Sequence, residues 1–435
     1  MCPGRAGSER QEYLMKARPP RVLIYSHDTY GLGHLRRCRV IAQALVAHRP
    51  DISILIVAGS PVVGSFSFPP QVDFIRVPGV VKLGADTYAP SNPGLSLEDL
   101  TKIRSAIIRS TAEIFDPDIF IVDKEPLGMR GEVEATLHHL KTTGARLVLG
   151  LRDIMDEPSR LIEEWTRKEA FGAVENYYDD IWIYGLPEIC DPLADIGVSD
   201  AVRRKATFTG YLQRADEPSG ALPDRIRIGE RPYVLVTTGG GGDGAQLVDW
   251  VLRAYETDPS IGVRAKIVLG PFMETGYQTD FQRRAARLDS VDLITFAASI
   301  EPLIERAAGM VAMGGYNTFC EILSFDKPAV VVPRRQPRLE QYIRASQAQE
   351  LGLIAMLLDD EIDNPAAMAD AIRALPGQAR PRSVAVDGIL DGLKTICELA
   401  DGYIAAGRHS GSASRGAAGD DEWAPARTLP KTGTA

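Results

Sequence analysis

From residue 21 onward, short apolar runs alternate with longer stretches in which apolar residues return every three or four positions. Val22-Leu23-Ile24-Tyr25 opens the series, and a run without polar alternation predicts a strand at Arg21–Ser26 buried on both faces of a parallel sheet. The next predicted element is a helix from about His34 to Ala47, with Cys38, Ile41, Ala42 and Leu45 on one face. Strands at Ile52–Val57, Ile119–Val122, Arg146–Leu149 and Ile181–Tyr184 follow, with helices near Leu97–Ile114 and Glu132–Thr142. A second series starts at strand Tyr233–Thr237 and helix Ala245–Tyr255. It continues through strands Ala265–Leu269, Val291–Thr295, Gly309–Met313 and Ala329–Val332, separated by helices Thr279–Ala286, Ile300–Ala307 and Asn317–Ser324, with a further helix at about Leu339–Leu351. This alternation predicts an α/β fold with parallel sheets covered by helices.

Between the two series, Pro218, Pro223 and Pro232 with Gly220 and Gly229 interrupt any helix and mark a linker. The expected organisation is a flexible leader at 1–19, an N-terminal domain at 20–210, a linker at 211–231 and a C-terminal domain at 232–380. A closing helical region is expected at 381–406 and a disordered tail at 407–435, where Gly, Ala, Ser and Pro leave little to bury. A length of 435 residues suits two domains. The net charge of -9 argues against general nucleic-acid binding. The five cysteines are scattered without metal-ligand spacing, which suits reduced thiols in the cytoplasm. Residues 1–20 lack the apolar core of a signal peptide, and no apolar run is long enough to cross a bilayer.

Candidate chemistry gathers where predicted strands end. After the first strand, Gly31 and Gly33 permit a tight turn, and His34 opens the following helix, where a neutral imidazole can accept a proton from an attacking hydroxyl. Arg36 and Arg37 either meet phosphate or lie solvated on the helix. Asp123 and Glu125 follow another strand and are candidates to face an acceptor; Arg152 and Asp153 stand after the next. In the second series, Gly239, Gly240, Gly241, Gly242 and Gly244 join a strand to a helix, and such a run exposes amides that can surround a phosphate. Asp243 is a turn or capping residue that would repel phosphate if it pointed inward. Farther on, Gly314 and Gly315 end a strand, Asn317 or Thr318 can cap the next helix, and Glu321 lies a turn beyond, with two oxygens suited either to a ribose diol or, as a charge near the helix start, to the helix dipole. Arg334, Arg335 and Arg338 form a basic cluster just ahead of Glu340 and Gln341, which can bond sugar hydroxyls.

These motifs resemble those of GT-B nucleotide-sugar glycosyltransferases, especially the MurG-like group of family 28, over most of residues 20–395. The resemblance implies two Rossmann-like domains facing across a cleft and a C-terminal helix, around Pro381–Ala400, crossing back to the first domain. It implies a nucleotide-diphospho-sugar donor, UDP-linked because Phe296-Ala297 matches the region beside the base, and no separate cofactor. By the same resemblance the glycines and the helix start lie beside the diphosphate, Glu321 binds ribose, and Arg335 to Gln341 reach the sugar. Glu340-Gln341 stands where the nearest relatives tend to have paired glutamines, which weakens any assignment of N-acetylglucosamine. Inversion without a metal is implied, as is a small-molecule, glycan, natural-product or lipid-linked acceptor, met in the cytoplasm or at the inner face of a membrane. The segment GLGHLRR is also similar to the GxGHxxR motif of nucleotide-sugar hydrolases of this fold, in which the residue matching His34 is catalytic. Hydrolysis and non-catalytic nucleotide-sugar binding are the alternatives.

Overall fold

The computed structural model describes residues 18–27, 33–82, 87–214, 231–240, 242–297 and 299–414. The first half contains β1 (Arg21–Ser26), β2 (Ser53–Ala58), β3 (Val72–Arg76), β4 (Val80–Lys82), β5 (Tyr88–Pro90), β6 (Ile119–Asp123), β7 (Arg146–Arg152), β8 (Asp180–Tyr184) and β9 (Ala206–Phe208). Seven of these form a parallel sheet in the order β3-β2-β1-β6-β7-β8-β9, while β4 and β5 pair as a separate antiparallel ribbon. The second half contains β10 (Tyr233–Thr237), β11 (Arg264–Val268), β12 (Val291–Ile294), β13 (Gly309–Ala312), β14 (Ala329–Val331) and β15 (Ala355–Met356). They form a parallel sheet in the order β12-β11-β10-β13-β14-β15. Helices connect the strands, because a parallel pair needs a crossover that returns the chain to the same edge.

Strand order reverses at β1/β6 in one sheet and at β10/β13 in the other. Ligands gather beyond the carboxyl ends of strands at such points. The start of the helix Gly33–His48, the element after β1, and the end of β6 at Asp123 occupy that place in the first sheet. The glycine turn after β10 and the Gly314–Gly315 turn after β13 occupy it in the second.

The helix Gly33–His48 lies on the first sheet through Leu35, Cys38, Ile41, Ala42 and Leu45, all buried, and full burial of each large apolar side chain contributes about 1.5–3 kcal/mol. The helix Gly392–Ser414 packs against it from the far end of the chain: His48 Nε2 lies 2.7 Å from Asp401 Oδ2, and Arg49 Nη1 donates to Asp401 Oδ1 at 2.9 Å. Its backbone is helical over residues 407–414, part of the expected tail, since elongation adds a hydrogen bond per residue without requiring burial. The leader up to residue 17, the linker stretch 215–230 and the tail beyond 414 lie outside the described residues. No helix among the described residues is long and apolar enough to cross a membrane.

The two halves are tied together by a buried polar clasp. Asp153, just past β7, receives Arg344 Nη2 on Oδ1 and Arg344 Nε on Oδ2, both at 2.6 Å, and the Tyr211 hydroxyl donates to Oδ2 at 2.7 Å. Arg344 stands on the helix Glu340–Glu350, and its Nη1 also reaches the carbonyl of Gly314 at 3.0 Å. Both partners are fully buried.

Candidate active site

His34 sits in the first turn of the helix after β1, and Asp123 ends β6, so adjacent strands bring the two side chains together. His34 Nδ1 lies 2.5 Å from Asp123 Oδ2. Arg37, one helical turn from His34, donates Nε to Asp123 Oδ1 at 3.1 Å and Nη2 to Oδ2 at 2.8 Å. Nη2 also stands 2.9 Å from His34 Nδ1. An unprotonated Nδ1 would set its lone pair against the carboxylate, so this contact favours the proton on Nδ1 and the lone pair on Nε2. Burial, opposed by Asp123, brings the imidazole down to about 4. Burial works to raise the Asp123 carboxyl, but Arg37 and His34 outweigh it and hold it well below the usual carboxylate range. At neutral pH the pair is thus a carboxylate and an uncharged imidazole.

Beside Gly33 and Arg37, which flank His34 on its helix, a cleft of 610 Å³ opens between the halves. The second half contributes Thr238, Gly239, Gly240 and Gly242 from the turn after β10, and Gly315, Tyr316, Asn317 and Thr318 from the start of the helix Tyr316–Ser324. That helix has no side-chain cap, and its first intrahelical bond among these residues runs from Phe319 N to Gly315 O, so the amides ahead of it stay open to an anion. Gly33, Arg36, Arg37 and Arg152 line the cleft from the first half. Arg334, Arg338, Glu340 and Gln341 line it from the second, with Arg334 Nη2 donating to Glu340 Oε1 at 2.6 Å. His27 has its ring centre 5.5 Å from that of His34 and lines a separate pocket of 430 Å³ within the first half; His34 and Asp123 line neither this pocket nor the cleft.

Several expected positions fall elsewhere. Gly31 and Gly241 lie outside the described residues. Gly244 does not line the cleft: it packs against Thr238, where a Cβ would collide. Gly314 is also a packing position, at φ 76°, with Val331 Cγ1 2.6 Å from where its Cβ would be. Asn317 and Thr318 are inside the first turn and do not cap it; Asn317 Nδ2 donates to Gly33 O at 3.2 Å and Oδ1 accepts from Arg214 Nη2 at 2.7 Å. Arg335 is drawn away from the cleft by Asp359 and Asp360. Ala297 is buried outside the cleft lining, while Phe296 is exposed.

The largest correction concerns Glu321. It is fully buried, and Arg36 Nη2, from the other half of the chain, donates to its Oε1 at 2.6 Å while also reaching Glu301 Oε1 at 3.2 Å. Glu321 Oε2 is buried without a hydrogen-bond partner, and burial, opposed by Arg36, pushes the carboxyl up. It faces Arg36 and not an open ribose site. The partners are 285 positions apart, so nothing local announces the pair.

Three contributors had little or no sequence signal as site residues. Arg152 had only its place after a strand; burial pulls its guanidinium down to about 10, which leaves it charged at neutral pH, and its Nε is buried without a partner. Arg214 closes off the back of the helix start through Asn317. His27 directly follows β1 outside any motif.

Residues 234–380 match the glycosyltransferase family 28 C-terminal domain. An uncharacterized glycosyltransferase of Methanosarcina acetivorans is 24% identical over 388 residues, covering 86% of this chain and 96% of that protein. Among solved structures, a UDP-glucosyltransferase from Polygonum tinctorium aligns with a TM-score of 0.59 at 15% identity, over 90% of this chain and 100% of that one. The calicheamicin glycosyltransferase CalG4 aligns at 0.55 with 16% identity, over 91% and 100%. A UDP-N-acetylglucosamine 2-epimerase aligns at 0.56 with 13% identity, over 94% and 100%. The two facing parallel α/β halves are therefore a GT-B fold, with a second half similar to that of family 28 glycosyltransferases.

Proposed function

We propose that this GT-B chain is a glycosyltransferase that moves a sugar from a nucleotide-diphospho-sugar, UDP-linked, to a hydroxyl-bearing acceptor. The fold alone does not decide this, since an epimerase shares it. The observation that carries the reading is the His34–Asp123 pair beside an amide-lined cleft, which Gly33 and Arg37, on either side of His34 along its helix, help to line. A neutral base next to an anion-binding cleft suits a reaction in which an acceptor oxygen loses its proton as a phosphate oxygen departs.

In this reading the donor diphosphate lies against Thr238, Gly239, Gly240 and Gly242 and the helix start at Gly315–Thr318, where open amides and the helix dipole favour negative charge. Gln341, Glu340 and the guanidinium of Arg152 stand at the sugar end. His34 Nε2 takes the proton as the acceptor oxygen attacks the anomeric carbon, and the imidazolium that forms is stabilised by Asp123. The bond between that carbon and the β-phosphate oxygen breaks, and UDP leaves with its electron pair, its new charge met by groups already oriented for it. Attack from the face opposite the leaving group gives inversion. The amides and arginines supply the charge stabilisation without calling on a metal.

The test is to incubate the purified protein with UDP-glucose, UDP-N-acetylglucosamine and UDP-glucuronate plus an acceptor panel, and to follow UDP release and product mass. Transfer product is expected, and His34→Ala should cut turnover by about 10²–10⁴-fold while donor binding persists. Free sugar as the sole product would make the enzyme a hydrolase. Full turnover in the variant, or no binding of any donor, would defeat the assignment.

A further inference from the structure

We propose that Arg152 selects the donor by binding the carboxylate of a hexuronic acid, so that the sugar held in the cleft is a uronate carried on UDP. The inference rests on the transferase reading above and names the sugar of its donor.

Among the described residues five arginines line the cleft, and four of them come with a carboxylate of their own. Arg36 has Glu321 at 2.6 Å, Arg37 has Asp123 at 2.8 Å, Arg334 has Glu340 at 2.6 Å and Arg338 has Glu164 at 2.8 Å. Arg152 has none: its guanidinium makes no ion pair or hydrogen bond with any described residue. Its Nε is sealed from water without a partner, which leaves the terminal nitrogens, Nη1 and Nη2, as the fork open to a ligand. Burial works against the charge, and Arg37 and Arg344 add to that pressure. Glu340, the strongest opposing group, is already bonded to Arg334. A guanidinium keeps its proton at neutral pH even so, and the cleft therefore holds one uncompensated cation.

Position decides which anion it awaits. Asp123 stands in register with Gly150 on the neighbouring strand, so Arg152, two residues on, projects from the same face of the sheet as Asp123. It lines the cleft from the first half, whereas the amides proposed for the diphosphate, in the glycine turn after β10 and at Gly315–Thr318, belong to the second. The diphosphate thus has donors of its own. The opposite charge that Arg152 feels most is that of Glu340, which with Gln341 stands at the sugar end. A sugar between these walls turns one side to Glu340 and Gln341 and another to the Arg152 fork. Nη1 and Nη2 match the two oxygens of a carboxylate in parallel bonds. In a hexuronate that carboxylate replaces the C6 hydroxymethyl group of a neutral hexose, which would bring a bond but no charge.

The experiment measures binding to the full chain by calorimetry, without acceptor, for two matched pairs: UDP-glucuronate against UDP-glucose, and UDP-galacturonate against UDP-galactose. At least one uronate should bind about 10–100-fold more tightly than its neutral partner, the worth of charged bonds to one carboxylate. Arg152→Gln should erase that difference and leave the UDP Kd unchanged. Arg152→Lys, which keeps the charge without the fork, should retain part of it. Arg152→Gln should unfold in urea no earlier than the wild-type protein, since it removes a charge that nothing pairs, so lost binding is not lost folding. Equal affinity within both pairs, or a preference that survives Arg152→Gln, would overturn the proposal. So would an equal loss of UDP affinity in that variant, which would give the guanidinium to the diphosphate. Product formation from the same donors with the acceptor panel tests the transferase reading separately. Uronate binding through Arg152 without transfer would remove that reading and keep this one, and transfer from the neutral donors alone would do the reverse.

Discussion

Replacing Asp123 with asparagine is the sharpest perturbation of the proposed base. Both carboxylate oxygens are occupied, Oδ2 by His34 Nδ1 and Arg37 Nη2 and Oδ1 by Arg37 Nε. An amide offers one oxygen and one NH₂ in their place. With the oxygen toward His34, the NH₂ meets the Arg37 Nε–H, donor against donor. With the NH₂ toward His34, the imidazole must accept on Nδ1 and carry its proton on Nε2, so the base is lost. Either way the Arg37 guanidinium, 2% exposed, loses its counter-charge beside the imidazole. Breaking a buried pair in this manner costs about 3–5 kcal/mol of stability, and loss of a positioned base costs about 10²–10⁴ in turnover. The assay is initial-rate UDP release from the established donor and acceptor, run beside urea unfolding and UDP binding. A double variant, Asp123→Leu with Arg37→Met, removes both charges and should regain most of the stability without regaining turnover. Turnover of Asp123→Asn within ~3-fold of the wild-type protein, less than 1 kcal/mol of barrier, would refute the reasoning.

The His34 value of about 4 carries a pH prediction. The neutral imidazole is the working form, so kcat/KM should stay level through the ordinary histidine range and fall only as the pH drops toward that value. An acid limb centred near ~6.5, the unperturbed histidine value, would contradict it. Gly315→Ala should fold normally, since Gly315 has φ -58° and nothing within 4 Å of a new Cβ, yet it adds a methyl group to the cleft wall and should raise the donor KM. Gly314→Ala should instead lose about 1–3 kcal/mol in chemical unfolding, from its left-handed backbone and the clash with Val331. Glu321→Gln should lower stability by about 1–3 kcal/mol, because Arg36 keeps Glu301, and leave the UDP Kd near the native value. A large loss of UDP affinity at unchanged stability would return Glu321 to the ribose.

Much of the architecture was legible because interior parallel strands leave an unbroken apolar record. β1 and β10 were readable to the residue, since each is a run of buried side chains that no helix of that length would need. β3, with Asp73 and Arg76 among its residues, and the three-residue β9 were not. Short edge strands bury too little to stand out from loops. The helix Pro158–Arg167 was missed as well, because only Leu161 and Trp165 turn inward. At the site, glycine turns and a histidine at a helix start were visible because backbone requirements and local chemistry are written in neighbouring residues. Pairings between distant segments were not. Asp123 and Arg37 were each singled out, but as an acceptor contact and as either a phosphate contact or a solvated helix residue, and only the reversal of strand order makes them partners. Arg36 with Glu321, and Asp153 with Arg344, are set by the docking of one half on the other.

The contact of Asp153 with Arg344 and Tyr211 has a mechanical consequence. Ions sealed from water resist separation, since parting them strands a bare charge on each side. Any swing that widens the gap between the halves while sparing both this contact and the Arg36–Glu321 pair is a rotation about the line joining them, as a door turns on two hinges. The excursion of each residue then grows with its distance from that line, and a load applied along the gap is borne at both contacts.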